Sequence, residues 1–143
     1  NQISHKGEII ERAVKINKQS ITRPLLAGVF LGGREQAAIC GAVVAAKHYS
    51  VPVILDGFIC TAAVLPIFFE RKDILDHCLI GHSSKEPGHD LLLKMLKKKP
   101  ILNRDMALGE GSGAALATSI VKAAFKCHVE MATFEEAGVS GKQ

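Results

Sequence analysis

The sequence has no pair of cysteines at the spacing of a metal or redox motif. Its four cysteines are dispersed, each within an apolar segment: Cys40, Cys60, Cys78 and Cys127. This distribution argues against a disulfide framework or a zinc site and predicts reduced thiols packed in a core, as in cytoplasmic proteins. His82 and His89 also lack a recognisable metal-ligand spacing, so we expect no metal site.

The sequence also has no long hydrophobic run, and we expect no secretory leader. No apolar stretch is long enough to span a bilayer, and the first residues are polar. The net charge is +4, and the one basic run, residues 97–99, ends at Pro100 without interleaved aromatic residues. This pattern favours a solvated helix end over a nucleic-acid surface. The expected partners are therefore small anionic molecules, with no membrane and no nucleic acid.

An initiator methionine is missing as well, since the chain opens on Asn1. We therefore expect a piece of a longer protein. The chain has 143 residues, of which 48% are hydrophobic, enough to supply a core. We expect a single α/β domain over residues 1–143.

Strand-like and helix-like apolar segments alternate along the chain. Residues 51–55 form a continuous apolar run that ends at Asp56 and Gly57, typical of a buried parallel strand, and residues 78–80 are a second candidate. Helices are predicted near residues 6–16, 35–48, 58–70 with a kink at Pro66, 87–96 and 113–131. The pattern predicts an α/β fold, a Rossmann-like parallel sheet flanked by helices, apparently a partial domain.

The helix predicted over residues 35–48 is small and apolar on nearly every face. A helix of this composition is normally packed on both sides, as in a layered α/β structure. The composition of this helix therefore favours a layered α/β structure.

The most informative stretch is a glycine-rich loop before the last predicted helix. Residues 108–116 read L-G-E-G-S-G-A-A-L, which places one carboxylate, Glu110, among three glycines. Glycine lets backbone N–H groups approach a ligand, and a helix start offers unpaired donors to an anion. A carboxylate fixed there indicates a base beside a phosphate-bearing substrate. The alternative is a capping loop whose Glu110 interacts with the helix dipole.

The same stretch formally fits a dinucleotide-binding fingerprint, G-x-G-x-x-A, from Gly109 to Ala114. The preceding residues 103–105 do not resemble a buried strand. Glu130, the acidic residue nearest the expected distance, lies inside a predicted helix rather than after a second strand. NAD binding is therefore not expected.

Ligands of parallel α/β folds bind at the carboxyl ends of the strands, which brings Asp56 and Ser84 to one edge. Ser84 is either a phosphate ligand or a helix cap. Asp56 either binds a ribose hydroxyl or orders its turn. We interpret His82 and His89 as solvated or hydrogen-bonded structural histidines. Cys60 is interpreted as a packing residue, because no partner base is implied.

Five ordered sequence blocks resemble the nicotinate-nucleotide:dimethylbenzimidazole phosphoribosyltransferase family. They span nearly the whole chain and comprise residues 31–38, 53–59, 82–89, 108–116 and 131–134. The resemblance implies a glycosyltransferase of cobalamin lower-ligand synthesis. It would transfer phosphoribose from nicotinate mononucleotide to 5,6-dimethylbenzimidazole, giving α-ribazole 5′-phosphate and nicotinate. Because nicotinate leaves as a neutral ring, no Mg²⁺ cluster or other cofactor is expected.

The resemblance also implies roles for individual residues. Glu110 matches the family's general base, which takes a proton from the attacking benzimidazole. Lys6 and Ser84 match phosphate contacts, and Leu108 matches part of an apolar slot for the flat base. The implied substrate-binding residues are Lys6, Ser84, Leu108, Gly109 and Gly111.

The chain resembles only the carboxyl-terminal half or so of these enzymes, as an expressed fragment, a split gene product or a shortened homologue with another role would. A half-site is expected to bind poorly and turn over slowly, because positioning of both reactants supplies much of such a rate. Three interpretations stay open: part of a complete enzyme, a non-catalytic nucleotide- or benzimidazole-binding module, and an interaction protein. In the last, the surface normally covered by the absent half docks another copy of the chain or another chain. We expect a homodimer that forms through the helices at residues 35–48 and 113–131, whose small apolar faces lack a cover.

Overall fold

The computed structural model describes residues 2–139, which form a parallel sheet flanked by helices. The first three helices precede the sheet, and the others connect or follow its strands. In chain order the elements are α1 (Gln2–Asn17), α2 (Pro24–Leu31), α3 (Arg34–His48), β1 (Val53–Leu55), α4 (Phe58–Ala63), α5 (Leu65–Glu70), a 3₁₀ turn (Lys72–Leu75), β2 (Cys78–Ser84), α6 (His89–Leu96), β3 (Pro100–Met106) and α7 (Ser112–Glu130).

The described sheet has the order β1-β2-β3, with both pairs parallel. Leu55 pairs with Ile80, and Ile80 pairs with Pro100 on the other side. The register shifts between His82 and Ser84, where the strands leave the core. The α/β prediction is confirmed, and all three strands end at the same edge.

The sequence prediction missed β3 and shortened β2. Residues 103–105 belong to β3, and Asn103 and Arg104 are exposed. Because β3 lies at the edge of the described sheet, it lacks the continuous apolar run of a strand buried on both faces. Residues 81–84, expected in a loop, complete β2. Two helix starts also differ, since α1 begins at Gln2 and α6 at His89.

The core lies between the sheet and helices α3, α5 and α6. The kink expected at Pro66 is a break at Val64, because proline cannot continue the hydrogen bonding of α4. Burial raises the pKa of the Cys40 and Cys78 thiols, whereas Cys127 is exposed, contrary to expectation. The buried core cluster comprises Val43, Leu55, Val64, Ile67, Phe68, Leu75, Cys78, Ile80, Leu93 and Leu96.

Several helices carry large apolar side chains on the surface. In α3 the only buried residue is Val43, so the helix is not packed on both sides in this chain, and its exposure agrees with the prediction that residues 35–48 lack a cover. Ile9 and Ile10 of α1 are exposed, as are Ile120 and Phe125 of α7. Among the helices of residues 2–139, none is both long and apolar enough to cross a membrane.

Candidate functional site

A cavity of about 460 Å³ opens at the carboxyl edge of the sheet. Its wall is built from the turn after β1 with the first turn of α4, from the end of β2 with the two residues that follow, and from the end of β3 with the loop before α7. The lining residues are Asp56, Gly57, Phe58, Ile59, Cys60, His82, Ser84, Lys85, Glu86, Met106, Ala107, Gly109, Glu110 and Gly111. The edge predicted from the sequence is therefore a concave site.

Glu110 lies in a loop of unusual backbone conformation. Gly109, Glu110 and Gly111 all adopt positive φ, at 79°, 56° and 77°. The two glycines do so readily, whereas a glutamate held there carries strain of about 1–3 kcal/mol. The loop runs into α7, where the Gly111 carbonyl accepts the Ala115 N–H at 2.9 Å. The carboxylate is exposed at the cavity wall, where it can reach a bound molecule.

Asp56 ties the end of β1 to the start of α7. Its Oδ1 accepts the Ala114 N–H at 2.8 Å, and its carbonyl accepts the His82 N–H at 3.3 Å. A carboxylate is favoured at a helix N-terminus, where backbone N–H groups lack partners. The structure thus shows a contact across 58 positions that neither of the two sequence interpretations of Asp56 included.

His89 is a structural histidine, as predicted, and supports the cavity wall. Its Nδ1 accepts the Ser84 N–H at 2.8 Å, which places the proton of the neutral ring on Nε2. Nε2 then donates to Thr61 Oγ1 at 3.1 Å, and that hydroxyl donates to the Gly57 carbonyl at 2.7 Å. Burial, with a smaller contribution from the neighbouring His82, lowers the pKa of His89.

His82 does not match its prediction, because it is neither solvated nor hydrogen-bonded through Nδ1. It is 3% exposed, and its Nδ1 lies 3.7 Å from Asp56 Oδ1 without a hydrogen-bond partner among the described residues. The ring occupies the space between Gly57 and Gly113, where an added Cβ would overlap it from either side. His82 therefore fills the junction between β1 and α7.

The structure brings together four of the six residues that the resemblance implied. Ser84, Gly109, Glu110 and Gly111 line the cavity. Ser84 is not a helix cap, because the N-cap of α6 is Gly88 and the Ser84 hydroxyl accepts the Glu86 N–H at 3.2 Å.

The other two implied residues lie outside the cavity lining. Leu108 belongs to the same loop as Glu110 but is 79% exposed. Lys6 lies on the exposed helix α1, which packs against α2.

Conversely, Lys85 and Glu86 line the cavity, although the sequence interpretation assigned them no role. The sequence could have indicated these two residues as candidates, because they directly follow Ser84, a predicted site residue.

The structure changes one of the two arguments against a dinucleotide fingerprint. A strand, β3, does precede the glycine loop, but its residues Asn103 and Arg104 are exposed, so the argument that this segment is not a buried strand holds in part. The other is confirmed, since Glu130 is the last residue of α7 and does not follow a second strand.

Cys60 both lines the cavity and packs against the core. Between residues 2 and 139, no three His, Cys, Asp or Glu side chains are grouped to hold a metal ion.

Comparison with known proteins gives concordant matches along nearly the whole chain. The phosphoribosyltransferase family model matches residues 1–139. A nicotinate-nucleotide–dimethylbenzimidazole phosphoribosyltransferase of Brucella anthropi is 48% identical over 141 residues, 99% of this chain and 42% of the relative. The enzyme of the same name from Rhizobium meliloti is 51% identical, with the same shares.

A solved structure shows the same relationship. The crystal structure of the enzyme of this name from Thermus thermophilus is 42% identical and superimposes with a TM-score of 0.76, covering 83% of this chain and 36% of that one. The chain therefore spans less than half the length of these relatives and matches their carboxyl-terminal part. On the family match and these identities, the chain belongs to the phosphoribosyltransferase family.

Proposed function

We propose that the cavity is part of the site at which phosphoribose is transferred from nicotinate mononucleotide to 5,6-dimethylbenzimidazole. The observation that carries the proposal is Glu110, a strained carboxylate held between two glycines in the cavity wall. The names of relatives that are 48–51% identical supply the two substrates.

The proposed reaction needs one base. A benzimidazole ring nitrogen attacks C1′ of the ribose, and the bond from C1′ to nicotinate breaks with its electron pair passing to the pyridine nitrogen. Glu110 takes the proton from the other benzimidazole nitrogen. Its negative charge also favours the cationic character that the sugar develops in the transition state.

The remaining implied residues bind the substrates in this proposal. The Ser84 hydroxyl and the loop N–H groups near Gly109 and Gly111 bind the phosphate, and Leu108 covers one face of the benzimidazole. Lys6 supplies a cation to the phosphate. Because α1 contacts little of the described chain, we propose that its final position depends on polypeptide that this chain lacks.

Full activity in this proposal requires the remaining length of the relatives, in a homodimer that acts in the cytoplasm. The exposed apolar faces of α1, α3 and α7 are the surfaces that this polypeptide or a second copy would cover. The same exposure favours one alternative, a non-catalytic homologue that binds nucleotide or benzimidazole and associates with itself.

A completed enzyme tests the proposal. It joins this chain to the amino-terminal part of the Rhizobium meliloti relative, in place of that protein's own matching segment. Given both substrates, it is expected to release nicotinate and α-ribazole 5′-phosphate in equal amounts by mass spectrometry, while the isolated chain releases almost none. An inactive but folded completed enzyme, beside an active Rhizobium meliloti protein, would contradict the proposal.

A further inference from the structure

We infer that His82 is a positioning residue for the proposed transfer, which holds the Glu110 loop in its active geometry through Asp56 and the first turn of α7. The inference rests on the proposed function and adds to it a residue that does not touch the reacting atoms. Its basis is the place of the buried imidazole between the sheet edge and the glycine loop.

The His82 imidazole is closely packed at the junction between β1 and α7. Glycine stands on both sides of the imidazole, Gly57 after β1 and Gly113 at the start of α7, and neither position has room for a Cβ. Movement of the ring toward either glycine therefore displaces the start of α7 or the turn after β1.

The polar contacts at the junction point to the same role. Asp56 Oδ1 receives the Ala114 N–H and lies 3.7 Å from His82 Nδ1. A buried ring nitrogen without a partner is uncommon in folded proteins. A shift of less than 1 Å would bring Nδ1–H into hydrogen-bonding distance of the carboxylate. Asp56 would then hold the helix start from one side and the imidazole from the other.

The Glu110 loop depends on this support. Glu110 is a non-glycine residue in the left-handed region, a conformation that persists only where the surroundings enforce it. Two backbone hydrogen bonds hold the loop to itself and to α7. The Ser112 N–H donates to the Gly109 carbonyl, and the Ala115 N–H donates to the Gly111 carbonyl. The bond from Ala114 to Asp56 and the packing of Gly113 against His82 join that segment to the sheet.

Two substitutions in the completed enzyme separate the polar role of His82 from simple packing. In His82→Asn the side-chain amide places a donor where Nδ1 stands, whereas in His82→Gln the amide nitrogen corresponds to Nε2. We expect His82→Gln to lower kcat by about 10- to 100-fold with little change in KM for nicotinate mononucleotide, and His82→Asn to lower it much less. The exposed His48→Gln serves as the matched control and is expected to leave kcat unchanged.

A double-mutant cycle tests whether the effect passes through Glu110. If His82 acts by placing that carboxylate, His82→Gln lowers kcat no further once Glu110→Gln is present, because residues that act as a unit are not additive. Three outcomes would each overturn the inference. In the first, the kcat losses of His82→Gln and Glu110→Gln multiply in the double variant. In the second, His82→Asn and His82→Gln lose kcat equally, and in the third the His82 variants lose only thermal stability. An unsubstituted completed enzyme without activity would instead contradict the proposed function.

Discussion

Glu110 combines backbone strain with the proposed role of a base, and substitutions can separate the two. Glu110→Gln keeps the strained residue and removes the base, so we expect turnover of the completed enzyme to fall by about 10²–10⁴-fold with little loss of nicotinate mononucleotide affinity. Glu110→Gly removes the base and the strain, and is expected to raise the free energy of unfolding by about 1 kcal/mol. Steady-state kinetics and urea unfolding measure these effects. Undiminished turnover in Glu110→Gln would rule out its assignment as the base.

The proposed phosphate contacts are distinguishable from contacts with the ring. In the completed enzyme, Lys6→Ala and Ser84→Ala are expected to weaken nicotinate mononucleotide binding but not binding of the nucleoside that lacks the phosphate. The loss on Lys6→Ala is expected to shrink at high salt, because the interaction is between charges. Calorimetry at two salt concentrations measures both ligands. Equal losses for nucleotide and nucleoside would show that these side chains do not bind the phosphate.

His89 links the stability of the cavity wall to pH. Burial, followed by the neighbouring His82, lowers the pKa of His89 in the folded chain, whereas in the unfolded chain it is about 6.5. The unfolded state therefore binds more protons between these two values. The stability contributed by neutral His89 is complete above about pH 6.5 and is lost as the pH falls through that value toward the folded pKa.

Urea unfolding between pH 7.5 and pH 5 is expected to show this loss. In His89→Asn the side-chain oxygen can still accept the Ser84 N–H but does not titrate. This variant is expected to be less stable at neutral pH and to lose less stability on acidification. Parallel pH profiles for the two proteins would show that His89 does not cause the loss.

At the level of the elements, the first turn of α7 has no room for a side chain at Gly113. An added Cβ at Gly113 would overlap the His82 ring, so Gly113→Ala is expected to destabilise the chain by about 1–3 kcal/mol. Gly41 of α3 is the matched control, because a Cβ there meets nothing within 4 Å. Gly41→Ala is expected to stabilise the chain by about 0.5–1 kcal/mol. Urea unfolding compares the two, and equal effects would show that the space beside His82 is not limiting.

The elements also differ in how well the sequence predicted them. Helix α7 and strand β1 follow from local patterns, since helical spacing and a continuous apolar run are properties of neighbouring residues. Strand β3 does not, because Asn103 and Arg104 are polar and the segment is extended through its pairing with β2. The same pairing extends β2 through His82 to Ser84 and brings both to the cavity.

For the whole molecule, the exposed apolar helices predict self-association of the isolated chain. Light scattering over a dilution series is expected to show mass rising with concentration. Phe125→Lys on α7 is expected to shift the chain toward monomer, whereas Tyr49→Lys, which substitutes an exposed residue outside the helices, is not. A strict monomer at high concentration would contradict this expectation.

The sequence by itself determined the α/β class, most helices and the edge of the sheet at which the site lies. It also singled out the loop that holds Glu110, because glycine-rich patterns and strand ends are written in consecutive residues. Only the tertiary structure decided what Asp56 and His82 contact. Their contacts join residues far apart in the chain, Asp56 with Ala114 and His82 with Gly113. Such contacts depend on how the packed elements meet, which no local pattern specifies.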